Sequence, residues 1–193
     1  MNIGNRNPIK EARRNALLKV LTSRWGYIET EKRIPGIAVP DFKNPSSVNP
    51  MLKDVLRNIQ AARNREVQGK KDLQLSFDYY LPSIGVLIEF DETQHFTSLR
   101  SVALRSYPLQ VKTGFDKNRW IALADKINAK DNDPPHRDEQ RAFYDSVRDI
   151  LAPLLGFKPV VRIFQDDVRW EEGDTTSLNA KCFLSKIEEL SRV

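Results

Sequence analysis

Two carboxylates, Asp78 and Glu89, sit in a stretch that otherwise patterns as sheet: Phe77-Asp78-Tyr79-Tyr80-Leu81-Pro82, then Val86-Leu87-Ile88-Glu89-Phe90-Asp91. Leu73, Leu75, Phe77, Tyr79 and Leu81 alternate with Gln74, Ser76, Asp78 and Tyr80, and Pro82-Ser83-Ile84-Gly85 supplies a turn. With Ser83 and Ile84 as the loop, antiparallel pairing sets 80 opposite 87, 79 opposite 88 and 78 opposite 89. Opposed side chains have Cβ atoms about 4.5–5.5 Å apart, and two like charges held there are destabilising unless something neutralises them. A divalent cation would do so. Mg²⁺ takes oxygen ligands at about 2.0–2.1 Å and is commonly held by one or two carboxylates plus substrate phosphate. Asp91, two residues past Glu89, points to the same face as a third acid, and Gln94 and His95 bring an amide and a titratable imidazole to the strand end. The plainer reading is an edge hairpin with a wet polar face, in which Asp78 is a turn-flanking surface acid.

Other metal chemistries are excluded by composition. Cys182 is the only cysteine, which rules out an internal disulfide and a thiolate zinc cluster, and its apolar spacing in the last helical pattern predicts a small core residue. With His95 and His136 the only histidines, a histidine-rich site is excluded too, so any metal is carboxylate-bound. The net charge of +5 and pI near 9.3 favour a polyanionic partner. Residues 1–33 hold eight Lys or Arg against three Glu, an excess that suits a phosphodiester beside an acidic metal site, although solvated helix faces often look the same.

The elements that must position these residues can be read coarsely. Pro8 opens a helix with Leu17, Leu18 and Leu21 on its apolar stripe, ending near Trp25-Gly26, and Glu11 falls on the side of Leu18 two turns earlier. Glu11 is also placed where an acid favours a helix dipole. A first strand is predicted over 26–34, a proline-rich connection over Pro35–Pro50, and a second helix from Met51 to about Arg65. Residues 97–135 read as an insertion with a helix from Asp116 to about Ala129. A strong helix runs from Arg137 to about Leu155, bent or ended by Pro153; then come a strand over Pro159–Phe164 and a closing helix over Ser177–Leu190, capped by Thr175 or Thr176. This order predicts a single α/β domain (α+β by some schemes) over residues 1–193, with a mixed sheet flanked by helices. No apolar run approaches a bilayer span and the amino terminus lacks the apolar core of a signal peptide, so a soluble, cytoplasmic protein is expected.

The hairpin motif, followed by Gln94-His95-Phe96, resembles the core of the restriction-endonuclease-like, PD-(D/E)xK nucleases, and most of all the branch of very-short-patch repair endonucleases with Glu-x-Asp and Gln-His. Arg137-Asp138-Glu139-Gln140-Arg141 opening a helix, then Leu155-Gly156-Phe157-Lys158 through Ile163, is similar to that branch's Arg-Asp helix and following strand. The resemblance spans about half the chain and leaves out 35–72 and 97–135. It implies that Asp78 and Glu89 bind Mg²⁺, with Mn²⁺ able to substitute, and that Glu11 acts at the site through water. It further implies that His95 works with Asp138, a carboxylate fixing the tautomer of the imidazole that takes a proton from water. The motif lysine of the wider superfamily is replaced by Asp91, leaving Gln94, His95, Lys112 or Lys117 to serve in its place.

The expected function is therefore Mg²⁺-dependent hydrolysis of DNA, as a restriction, defence or repair endonuclease, either alone or as a homodimer. Arg13 and Arg14 of the first helix, with Lys112, Lys117 and Arg119 of the insertion, are expected to hold the DNA backbone. Trp120 and Tyr107 are candidates to stack at a base step, though each is more often core filling. The alternatives are a catalytically degenerate DNA-binding or assembly module, motivated by the missing lysine, and a phosphatase or nucleotide hydrolase.

Overall fold

The computed structural model describes residues 8–131, 133–171, 174–190 and 192. The signal-peptide reading of Met1–Arg6, the basic charge of Arg6, and Asn132 in the predicted helix stop lie outside the described residues. Four strands, β1 (Glu29–Ala38), β2 (Gln74–Leu81), β3 (Val86–Asp91) and β4 (Val161–Phe164), form one sheet in the order β1-β2-β3-β4. The first two pairings are antiparallel and β3 with β4 is parallel, so the sheet is mixed, as expected for an α/β chain. The helices are α1 (Pro8–Trp25), α2 (Pro50–Arg63), α3 (Ser98–Arg105), α4 (Lys117–Ile127), α5 (Arg137–Leu154) and α6 (Leu178–Leu190).

Helices cover both faces of the sheet. Leu17, Val20 and Leu21 of α1 and Ala180, Leu184 and Ile187 of α6 pack with Tyr79, Ile88 and Phe90 in one core. On the other face α2, α3, α4 and α5 pack around Leu87 and Phe164, with Leu52, Leu104, Trp120 and Phe143 among the buried residues. Side chains alternate along a strand, so Leu87, Glu89 and Asp91 share the face that α5 covers. Residues 97–135 are thus part of the larger core, to which they give Leu99, Leu104, Phe115 and Trp120. Among the described residues no helix is long and apolar enough to cross a membrane.

Local chemistry sets the boundaries. Asn49 caps α2 through the Met51 N–H (2.9 Å), with Pro50 in the first turn, and Thr97 and Asp116 cap α3 and α4 in the same way. Three expectations are corrected. The first strand runs on through Pro35-Gly36 to Ala38, because β1 is a sheet edge where proline costs no ladder bond; its register shifts between Arg33 and Ala38, and Gly36 adopts φ 89°. The last helix is capped by Ser177, whose hydroxyl accepts the Ala180 N–H at 3.2 Å, in place of Thr175 or Thr176. Cys182 is exposed and is not a core residue.

Candidate functional site

The hairpin has the predicted register: Tyr79 pairs with Ile88, Tyr80 with Leu87 and Leu81 with Val86. One residue further, carboxylates take over from carbonyls. Asp78 Oδ2 accepts the Phe90 N–H at 2.7 Å, and Glu89 Oε1 accepts the Asp78 N–H at 3.3 Å. Each acid is thereby fixed to the backbone of the opposite strand. The like charges are neutralised by arginines from helices on opposite faces of the sheet. Arg14 of α1 lies on the Phe90 ring (5.0 Å to its centroid) and donates from Nη1 to Asp78 Oδ1 at 2.7 Å and from Nη2 to Glu92 Oε1 at 3.3 Å. Arg148 of α5 brings Nε within 3.5 Å of Glu89 Oε1 while donating to the Ser76 carbonyl at 2.8 Å. Glu89 is only 4% exposed. Burial pushes its carboxyl well above the usual range; Arg148 draws it back in part, and the charge of Asp78 pushes it further up.

Behind this pair lies a buried charge network. β3 ends in a single 3₁₀ turn, Thr93–His95, which swings the His95 ring back toward α5. Its Nδ1 is 3.3 Å from Asp145 Oδ2 and 3.4 Å from Asp91 Oδ1. Beneath them the fully buried Arg162 of β4 reaches Asp91 (2.7 Å), Asp149 (2.8 Å) and Asp145 (3.3 Å). Arg100 pairs with Asp149 at 2.9 Å, and Tyr107 donates to the same carboxylate at 2.7 Å. Burial alone would raise the Asp145 carboxyl, but Arg162, His95 and Arg100 outweigh it and hold it well below the ordinary carboxylate range. Asp91, His95 and Asp145 offer ligand atoms that all lie within 4.8 Å of one another, so this buried Asp-His-Asp group could hold a metal ion.

These residues open onto a cleft of about 310 Å³ lined by Asp78, Glu89, His95 and Asp145 and by Arg14, Arg137, Arg141 and Arg148. No family model, curated protein or solved structure matches this chain. The chemistry of the cleft therefore rests on its own geometry. Its floor is acidic and its walls carry guanidinium groups. With Nδ1 of His95 turned to two carboxylates, Nε2 is the nitrogen left to accept a proton in the cleft. Arg14 and Arg148 pair with the floor acids, and Arg137 and Arg141 with Asp131.

The structure brings Asp78, Glu89 and His95 together, and separates other residues from them. Asp91 lies on the face expected but deeper, with its oxygens held by Arg162 and by Trp120 Nε1, each at 2.7 Å. Gln94 donates to Glu92 Oε2 at 2.7 Å. Asp138 does not meet His95; it is buried against Arg63 and accepts the Glu139 N–H, and the helical acid on His95 is Asp145, two turns later. Glu11 is exposed and does not line the cleft, because Leu18, the residue it aligns with, is itself only half-buried. The arm from α1 is Arg14. Of the other expected DNA-binding residues, Arg13 pairs with Asp166 at 2.5 Å and Arg119 clamps Asp167 with two bonds of 2.6 and 2.8 Å. Lys112 is exposed and Lys117 is half-buried in the first turn of α4. Trp120 and Tyr107 are buried and bonded to Asp91 and Asp149, so neither is placed to stack on a base. Sequence reading missed Glu92, Asp145, Arg148 and Arg162. Arg162 had a signal: an arginine inside the apolar run Val160-Val161-Arg162-Ile163-Phe164 must find buried acids.

Proposed function

We propose that this chain is a Mg²⁺-dependent DNA endonuclease of the restriction-endonuclease-like type, with Mn²⁺ able to substitute. The observation that carries the reading is the placement of Asp78 and Glu89 on neighbouring antiparallel strands, in one cleft with His95 and four arginines. A hard divalent cation fits the Asp78–Glu89 edge. The donors are carboxylate oxygens, and Arg14 already stands on Asp78 Oδ1 as a positive charge. A cation bound there supplies Lewis acidity toward a phosphate oxygen and toward water. The chain's own residues do the rest. Arg137 and Arg141, four residues apart on α5, face the cleft where the DNA backbone would lie. Asp145 and Asp91 keep the proton of His95 on Nδ1, and Nε2 takes the proton released by the attacking water. The buried Asp-His-Asp group serves in this reading as the support of that imidazole, since Arg162 already supplies its positive charge. One cleft hydrolyses one strand, so a double-strand break takes a homodimer or two successive nicks.

A second reading, a DNA-binding module that has lost hydrolysis, is favoured by one feature: Asp91 stands where the nucleases this pattern resembles carry lysine, and both its oxygens are engaged. Titration of Mg²⁺ and Mn²⁺ against supercoiled plasmid separates the two. The nuclease gives nicked or linear product that is abolished by chelation and by Asp78→Asn in a folded variant. Salt-sensitive DNA binding with intact plasmid under both metals assigns the module instead.

A further inference from the structure

Both oxygens of Asp78 are engaged, and Arg14 holds the one that is not bonded to the backbone. Oδ2 is spent on the Phe90 N–H, whereas Oδ1 receives Arg14 Nη1 at 2.7 Å. Mg²⁺ takes carboxylate oxygens at about 2.0–2.1 Å, and on Oδ1 it would stand against the guanidinium as a like charge on one oxygen, so the two cations compete for Asp78. Arg14 remains charged wherever it goes. Its side chain is 28% exposed and rests on the Phe90 ring, and its buried Nε has no hydrogen-bond acceptor among the described residues. A guanidinium that loses Asp78 would thus need an anion with acceptors for a planar fork. A phosphodiester, with two unesterified oxygens, is that anion.

We infer that Arg14 guards the cation seat: it occupies Asp78 in the free protein and releases it to a divalent cation only as it takes up a backbone phosphate, so that metal and nucleic acid bind cooperatively. The inference rests on the nuclease reading of the cleft. It is an exchange of ion pairs with no bond made or broken covalently. The Arg14–Asp78 pair opens, Asp78 joins the cation and Arg14 joins the phosphate. Arg14 is then a substrate-binding residue whose resting position suppresses metal uptake without substrate. Glu92, its second partner, keeps it tethered at the cleft during the exchange.

Mn²⁺ binding measured by electron paramagnetic resonance, with and without a short DNA duplex, tests this. In the wild type the duplex is expected to tighten Mn²⁺ binding by about tenfold or more, the span of a typical coupling between two ligands. Arg14→Gln is expected to bind Mn²⁺ without DNA about tenfold or more tighter than the wild type, and to gain little further from the duplex. Arg14→Lys keeps the charge without the fork and serves should the glutamine variant fold poorly; its duplex-linked tightening is expected to fall well below that of the wild type. Equal Mn²⁺ affinity in wild type and Arg14→Gln, in protein whose binding is lost in Asp78→Asn, overturns the guard while leaving the metal site in place. Mn²⁺ binding unaffected by Asp78→Asn, or absent from every variant even with duplex, overturns the nuclease reading and the guard with it.

Discussion

Asp145→Asn is the sharpest probe of how the cleft handles protons. Asp145 Oδ2 faces His95 Nδ1 at 3.3 Å, and Oδ1 accepts from Arg148 at 3.3 Å and lies 3.3 Å from Arg162 Nη2, which donates to the Asp145 main-chain carbonyl. An asparagine can keep its carbonyl toward the two guanidiniums, which then places its NH₂ against Nδ1. Nδ1 must become the acceptor, the ring proton moves to Nε2, and the nitrogen facing the cleft can no longer take a proton. On the nuclease reading proposed above, general-base catalysis of this kind contributes about 10²–10⁴-fold. Because Asp91 Oδ1 still lies 3.4 Å from Nδ1 and favours the original tautomer, the loss belongs near the lower end, about 10²-fold in single-turnover cleavage. Stability changes less, since Arg162 retains Asp91 and Asp149. The lost charge-assisted bonds cost about 1.5–3 kcal/mol, or roughly 3–12 °C in Tm for a chain of this size. The sign with pH follows from the lowered Asp145 carboxyl: its stabilisation is present above the ordinary aspartate range and lost as pH falls through the folded value, so wild type and variant converge in acid. Asp138→Asn is the control, expected to leave single-turnover cleavage within about threefold because Asp138 faces Arg63. A folded Asp138→Asn that loses cleavage while Asp145→Asn keeps it refutes the assignment of the histidine's partner.

The remaining predictions address the floor and walls of the cleft. Folding raises the Glu89 carboxyl, so its contribution to stability is full below the ordinary glutamate range and lost as pH rises through the folded value. Glu89→Gln should therefore melt higher than the wild type at alkaline pH and draw level in acid, whereas a lower Tm in alkali rejects the burial argument. Mn²⁺ affinity of the wild type should fall with acidification at a pH above that of an ordinary glutamate, as isothermal titration would record. Arg162→Met removes the arginine that three buried carboxylates share and should cost about 3–5 kcal/mol in denaturant unfolding, a large part of a typical domain's stability; a cost under about 1 kcal/mol contradicts the network. If the cleft binds DNA as proposed, Arg137→Gln should lower the slope of log binding constant against log salt by about 0.9, and an unchanged slope removes Arg137 from the proposed DNA track.

The hairpin was legible in the sequence because period-two alternation and a turn fix register together, and a one-residue slip would turn Asp78 and Glu89 out of the cleft. The helices were legible from their apolar stripes and caps. What stayed hidden depends on partners distant in the chain. Asp91 has the spacing of a third ligand, yet its oxygens are claimed by Trp120, 29 residues away, and Arg162, 71 residues away. Asp145 and Asp149 look like the solvated side of α5 until Arg162 is placed beneath them. Asp138 is the acid of the Arg-Asp motif that opens the helix and so drew the pairing with His95, but the acid that meets the imidazole, Asp145, stands two turns further along. Pro35 read as the end of the first strand, since nothing local marks that strand as an edge.

The indole of Trp120 that grips Asp91 belongs to α4, within the stretch 97–135 that lies outside the nuclease-like pattern. That single bond makes the stretch a keystone and not an appendage. A change in how α4 seats would be transmitted through Asp91 to the imidazole of His95, 3.4 Å away. Replacing this segment would then disturb the imidazole in the cleft as well, unless the tryptophan is kept.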